Sequence, residues 1–233
     1  MNRSNSKHIK VLAAVSLALT AAGSSLVLAD KNASKWSQEV GYYKITPDED
    51  SSAISGPGMP PGTAVDVKEG SSYLFSTTYH HNNNLSLEFF YGGWNELDAA
   101  ADGSISALGN IGTFEYLAPT VTVNWTFGND AWALRPHLGL GINRMIYGQE
   151  KANAVLEGAL GGATEIEVDD TWGAVFTAGL TWHFTKRLYA TASYVVINSD
   201  TSATLTTEAV GTVRTVDLDT DLKISYLNVG YRF

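Results

Sequence analysis

Cysteine is absent from all 233 residues, so no disulfide can staple the chain, and a domain of this length must be held by packing and hydrogen bonding. Beyond residue 29 there is no apolar run long enough for a transmembrane helix, which leaves strands as the elements able to cross a bilayer. Positive charge is scarce, with 15 lysines and arginines against 24 aspartates and glutamates. Binding a polyanion needs a basic stripe, so nucleic acid is excluded as a partner.

The first 29 residues stand apart. Arg3, Lys7 and Lys10 form a basic start, "VLAAVSLALTAAG" an apolar stretch, and Val27-Leu28-Ala29 a small-residue cleavage site. They are expected to be a signal peptide, with the mature chain beginning near Asp30 and residues 30–233 forming one domain. Removing them takes away three basic residues and no acidic one, leaving 12 basic against 24 acidic and a net charge of −12.

What the chain has in abundance is alternation. In "WALRPHLGLGIN" (132–143), Trp132, Leu134, Pro136, Leu138, Leu140 and Ile142 alternate with Ala133, Arg135, His137, Gly139, Gly141 and Asn143. Period-2 patterning of this kind marks a β-strand with two different faces. "LSLEFFY" (85–91), "TVTVNWTF" (120–127) and "WGAVFTAGLTWHF" (172–184) repeat it, and strands near 36–46, 71–80, 188–197 and 221–233 bring the number to eight. Short turns at 81–84, 128–130 and 185–187 alternate with long Gly-, Ser- and acid-rich stretches near 47–70, 92–112, 148–170 and 198–218, which are expected to be loops. The fold class is therefore all-β: an eight-stranded antiparallel up-and-down barrel with short turns at one end and long loops at the other.

Alternation alone leaves two barrels open, a soluble one with its bulky face inward and a membrane one with that face outward. Three features favour lipid outside. Trp125, Phe127, Trp132, Trp182 and Phe184 cluster at strand ends beside short turns, as an aromatic girdle does. The opposite face is rich in Gly, Thr, Ser and Ala, which suits the narrow interior of a small barrel. The last strand ends "NVGYRF", with Tyr231 and Phe233 on one face. The leucine face of residues 132–143 is thus expected to meet lipid, with Arg135, His137 and the glycines facing the lumen.

From "LAPTVTVNWTF" through "RPHLGLGIN" and "DDTWG" to "NVGYRF", order and spacing resemble the OmpW family of eight-stranded outer membrane proteins. A single Pro119 stands where many relatives have two. The resemblance implies a monomer in the outer membrane of a Gram-negative cell, with short turns on the periplasmic side, in contact with lipopolysaccharide. It also implies delivery by the barrel assembly machinery, for which Tyr231 and Phe233 would be the C-terminal signal. The function it implies is passage of a small hydrophobic solute across the lipopolysaccharide layer, with sideways release through the barrel wall in some members.

Residues predicted to point inward agree with that expectation: Leu74, Phe90, Val175, Tyr189 and Tyr226, with Val195 and Ile224, are too apolar for a water-filled pore. Glu88 and Arg135 are predicted to face the same lumen near the short turns. Unpaired charges are costly there, so they are expected to pair with each other. His137 and His183 are expected as polar lumen filler; no ligand set for a metal is visible, and no cofactor is expected. A lipid-modifying hydrolase would need a histidine near the outer leaflet, but His80, His81, His137 and His183 all lie at the short-turn end. The competing class is a structural or receptor barrel that displays long loops to ions, phage or host without transport.

Overall fold

A computed structural model of the chain describes residues 35–47, 52–55, 59–219 and 221–233. The expected signal peptide and its boundary at residue 30 lie outside them. In chain order the strands are β1 (Trp36–Pro47), β2 (Ser52–Ser55), β3 (Thr63–Val67), β4 (Gly70–His80), β5 (Leu85–Tyr91), β6 (Asn95–Gly103), β7 (Asn110–Leu117) and β8 (Thr120–Thr126). There follow β9 (Leu134–Ala152), the helix α1 (Ala154–Leu160), β10 (Thr164–Val168), β11 (Thr171–His183), β12 (Leu188–Asn198), β13 (Asp200–Thr207), β14 (Thr212–Asp219) and β15 (Leu222–Arg232).

Strands β1, β4, β5, β8, β9, β11, β12 and β15 pair antiparallel in that order, and β15 pairs back to β1, so the sheet closes. Closure gives each strand a partner on both sides, which hydrocarbon surroundings demand. These are the eight strands legible in the sequence. On β9 the alternation is resolved as expected: Leu138, Leu140 and Ile142 are 54%, 61% and 57% exposed on the outer wall, while Arg135 and His137 are 5% and 6% exposed inside. An apolar band of that extent has no place in water. Trp132 departs from its expected strand. It lies in the turn before β9, its N–H bonded to the Asn129 carbonyl at 3.0 Å.

The long stretches are not loops. β9 continues above the barrel and pairs with β7, and the ladder runs on through β6, β3, β2, β14 and β13 to β10. This second sheet curves round until β10 lies beside β9 again. Its strands have one watered face, so their sequences carry Thr, Ser and acids at every other position and look like loops by composition. Two acids of the stretch at 148–170 are held in place: Asp170 accepts the Tyr147 N–H at 3.1 Å and Asp169 accepts the Ser202 hydroxyl at 2.8 Å. Asn153 caps α1, accepting the N–H groups of Val155 and Leu156, and Gly161 ends it in the left-handed region at φ 90°.

The narrow barrel forces close approaches. A Cβ on Gly41 would stand 1.9 Å from Asn228 Oδ1 and 2.2 Å from the Leu227 carbonyl oxygen. The bare glycine is what lets the fully buried Asn228 lie across β1 and reach Glu39. Since the clash includes backbone, Gly41→Ala should cost about 1–3 kcal/mol by overpacking. The temperature at which the folded band disappears on SDS gels should fall; an unchanged temperature would mean the wall is looser than described.

Candidate functional site

Inside the two sheets the described residues form three tiers, and their polarity changes sharply with height. The lowest, at the short-turn end, surrounds a cavity of about 80 Å³ lined by polar groups, among them Glu39, Glu88, Arg135, His137, His183 and Tyr189. Glu88 accepts from Asn124 Nδ2 at 2.8 Å. Glu39 accepts from the Tyr189 hydroxyl at 2.9 Å and from Asn228 Nδ2 at 3.4 Å. His137 Nε2 bonds Ser193 Oγ at 3.1 Å, and the His183 ring leans on Tyr189 at 5.6 Å.

The expected pair of Glu88 with Arg135 does not form. Arg135 donates to the carbonyls of Asn83, Phe127 and Gly128 at 2.8, 3.1 and 3.3 Å and meets Asp130 at 3.5 Å. Register explains the separation. Glu88 aligns with Thr122 and through it with Gly141, six residues above Arg135 on β9, which is about 20 Å of strand. Arg135 instead faces the two short turns, where carbonyls converge on its fan of donors. It ties turn 81–84 to the turn before β9.

Tyr189, expected among the apolar lumen residues, belongs to this polar tier. Gly230 leaves the space its ring occupies, and its hydroxyl spans Ser37 at 2.7 Å and Glu39. Glu39 was not singled out from sequence. The signal was available, because Val40 and Tyr42 are outward residues and period 2 then turns Glu39 inward.

Above lies an apolar chamber of about 60 Å³, bounded by Leu74, Phe90, Val195, Ile224 and Tyr226, together with Tyr43, Ile45 and Ile197. Phe90 and Tyr226 meet edge to face at 5.5 Å. Val175 is buried in the same apolar cluster. The roof is aromatic: the Tyr43 and Tyr116 hydroxyls bond at 3.0 Å, and Tyr147 packs on Phe114 at 5.9 Å. Burial first, and the neighbouring Tyr43 phenol second, hold the Tyr116 hydroxyl well above the ordinary tyrosine range, so it stays protonated and bonded.

The chamber wall is interrupted on one side. Pairing of β5 with β8 stops at Phe90–Thr120, and pairing of β6 with β7 starts only at Asn95–Tyr116. Between them stand Gly92 and Gly93 on one side and Ala118 and Pro119 on the other, and Gly92, Gly93 and Ala118 border the chamber. Proline has no N–H to give a ladder, and two glycines leave no side chain across the break.

The top tier is a vestibule of about 400 Å³ inside the second sheet. Its walls are aliphatic, with Leu156 and Leu160 of α1, Ile111 of β7, Val168 of β10, Leu205 of β13 and Val216 of β14. No motif in the sequence marks it. It arises only when four separate long connections fold together.

On the outside, Trp125, Phe127, Trp132, Trp182 and Phe184 are all exposed near the short turns, with Trp182 and Phe184 rings 4.8 Å apart. Tyr231 and Phe233 pack edge to face at 5.5 Å beside the start of β1, where the Phe233 N–H bonds the Trp36 carbonyl at 3.1 Å.

Comparison with known proteins agrees with this geometry. Residues 35–233 match the OmpW family. Outer membrane protein W of Vibrio cholerae is 26% identical over 156 residues, covering 66% of this chain and 70% of that protein. The crystal structure of OprG from Pseudomonas aeruginosa is similar in fold, with a TM-score of 0.76 at 20% identity, covering 86% of this chain and 96% of OprG. The structure of AlkL in lipid bilayers also has this fold, with a TM-score of 0.67 at 21% identity over 88% of this chain and 93% of AlkL.

Proposed function

Because the chain belongs to the OmpW family and so forms a barrel in the outer membrane, we propose that it conducts small hydrophobic molecules passively from the vestibule into the chamber and out through the side. The observation that carries this reading is the change of polarity along the lumen. The vestibule and chamber are apolar, whereas the short-turn tier is filled by Glu39, Glu88, Arg135, His137 and Tyr189 bonded to one another's surroundings. An apolar solute that reaches the chamber gains nothing by entering the polar tier, since it would have to displace satisfied hydrogen bonds. The interrupted wall at Gly92, Gly93, Ala118 and Pro119 offers the lipid as the exit.

In this reading Leu74, Phe90, Val175 and Tyr226 line or support the solute path, and the polar tier is a plug. Trp125, Phe127, Trp132, Trp182 and Phe184 anchor the barrel at the inner lipid–water boundary, and Tyr231 with Phe233 serves recognition by the assembly machinery. Lipopolysaccharide surrounds the level of the second sheet.

The side exit has its own test. A Cβ on Gly93 would meet nothing within 4 Å, so a side chain can start there in open space beside the break. Gly93→Trp should leave heat-modifiable mobility on gels unchanged and lower tracer uptake by outer-membrane vesicles about tenfold, which is roughly 1.4 kcal/mol of added barrier. Undiminished uptake in a folded Gly93→Trp barrel would rule out this exit.

A further inference from the structure

A hydrogen bond crosses the lumen between its two apolar spaces. Tyr43 of β1 and Tyr116 of β7 are 7% and 2% exposed, and their hydroxyls meet at 3.0 Å. On β9, Tyr116 aligns with Tyr147 and Thr120 of β8 aligns with Asn143, so β7 takes over the place of β8 in the ring. Only β4 and β5 separate that place from β1 on one side, and the longer way round passes β9, β11, β12 and β15. The bond therefore spans the lumen instead of running along its wall. Both tyrosines border the chamber, while Phe114, further up β7, borders the vestibule.

The two ends of this crossbar differ. The Tyr43 hydroxyl has Ser72 and Asn95 beside it, so polar neighbours remain when the bond opens. Among the described residues the Tyr116 hydroxyl has Tyr43 as its only hydrogen-bond partner, so opening leaves it alone in apolar surroundings. A hydrocarbon offers that hydroxyl nothing and must pass at the full cost of leaving it unpaired. A chain with one ketone or ester oxygen accepts its proton on the way through and, being uncharged, crosses the apolar spaces at far smaller cost than an ion. Building on the transport reading above, we propose that the path favours neutral aliphatic chains bearing a single hydrogen-bond acceptor over hydrocarbons of equal length, with Tyr116 as the residue that tells them apart. Hydrocarbons still pass, more slowly. The aliphatic walls on both sides of the crossbar, Ile45 and Ile197 below and Leu156 and Leu160 above, hold the chain of either solute.

The test uses decane and methyl octyl ketone, which share one carbon chain and differ by a carbonyl oxygen. Entry of each, radiolabelled and at equal free concentration, is measured in outer-membrane vesicles carrying the barrel, with the rate in vesicles lacking it subtracted. The ketone should enter through the wild-type barrel about tenfold faster than decane, which is roughly 1.4 kcal/mol and within the cost of an unpaired buried hydroxyl. Tyr116→Phe removes the crossbar and the hydroxyl that reads the solute, so decane should speed up and the two rates converge. Tyr43→Phe removes the crossbar alone, so both solutes should enter faster and the ketone preference should stay. Equal wild-type rates, faster entry of decane, or a ketone preference that survives in folded Tyr116→Phe overturns the proposal and leaves the transport reading intact. If neither solute enters faster than in vesicles lacking the protein, both fall. The wild-type comparison needs no variant to fold.

Discussion

Exchanging the two lumen charges, Glu88→Arg with Arg135→Glu, is expected not to restore the stability that Arg135→Glu alone removes. Arg135 satisfies three carbonyls from two different turns, and each buried acceptor left without its donor costs about 1–3 kcal/mol. Water reaches this end of the barrel and replaces part of the loss, so Arg135→Ala should cost about 2–4 kcal/mol. The ion pair adds little to that, because Asp130 is exposed. In the double exchange a glutamate would face those same carbonyls, acceptor against acceptor, and the arginine placed at position 88 would stand beside Asn124 and Glu39, where it supplies none of the donors those turns have lost. The readout is the temperature at which the folded band is lost on SDS gels. Restoration of the wild-type temperature by the second substitution would show that the two residues do pair.

Phe90→Asp is expected to bring uptake of an apolar tracer down to that of vesicles without the protein. Phe90 is 6% exposed, forms one wall of the upper chamber and meets Tyr226 edge to face. A carboxylate there draws water or a counter-ion into a space of about 60 Å³, and an apolar solute must displace it to pass. A loss of about tenfold corresponds to roughly 1.4 kcal/mol, well within the cost of undoing such solvation. Phe90→Leu keeps the chamber dry and should retain uptake. Leu87, on the lipid side of the same strand, should tolerate change without affecting transport. Equal uptake in folded Phe90→Asp and wild-type barrels would remove the chamber from the path.

The barrel itself was legible because each spanning strand separates two unlike environments, so Leu138, Leu140 and Ile142 alternate with Arg135, His137 and the glycines without interruption. The second sheet was not, because both of its faces tolerate threonine and alanine. In "TSATLTT" the inward Ala203, Leu205 and Thr207 alternate with Ser202, Thr204 and Thr206, a contrast too weak to separate from a loop. The direction of a side chain could be read from period 2, which put Phe90, Val175 and Tyr226 in the lumen. Its place relative to other strands could not, because that depends on the stagger between them, and that is why Glu88 was matched with Arg135, six residues along β9 from its aligned position, and Tyr189 with the apolar set. The vestibule required β3, the β6–β7 hairpin, α1 with β10, and the β13–β14 hairpin to come together, and these four pieces are far apart in sequence.

The central claim is an apolar path that is closed to water. Outer-membrane vesicles, whose lipopolysaccharide leaflet resists apolar solutes, allow both halves to be measured with and without the protein: entry of an apolar fluorescent tracer and osmotic swelling in a small sugar. Tracer entry faster than in vesicles lacking the protein, with swelling no faster, is the expected result. Faster swelling, or tracer entry no faster than in protein-free vesicles, would contradict it.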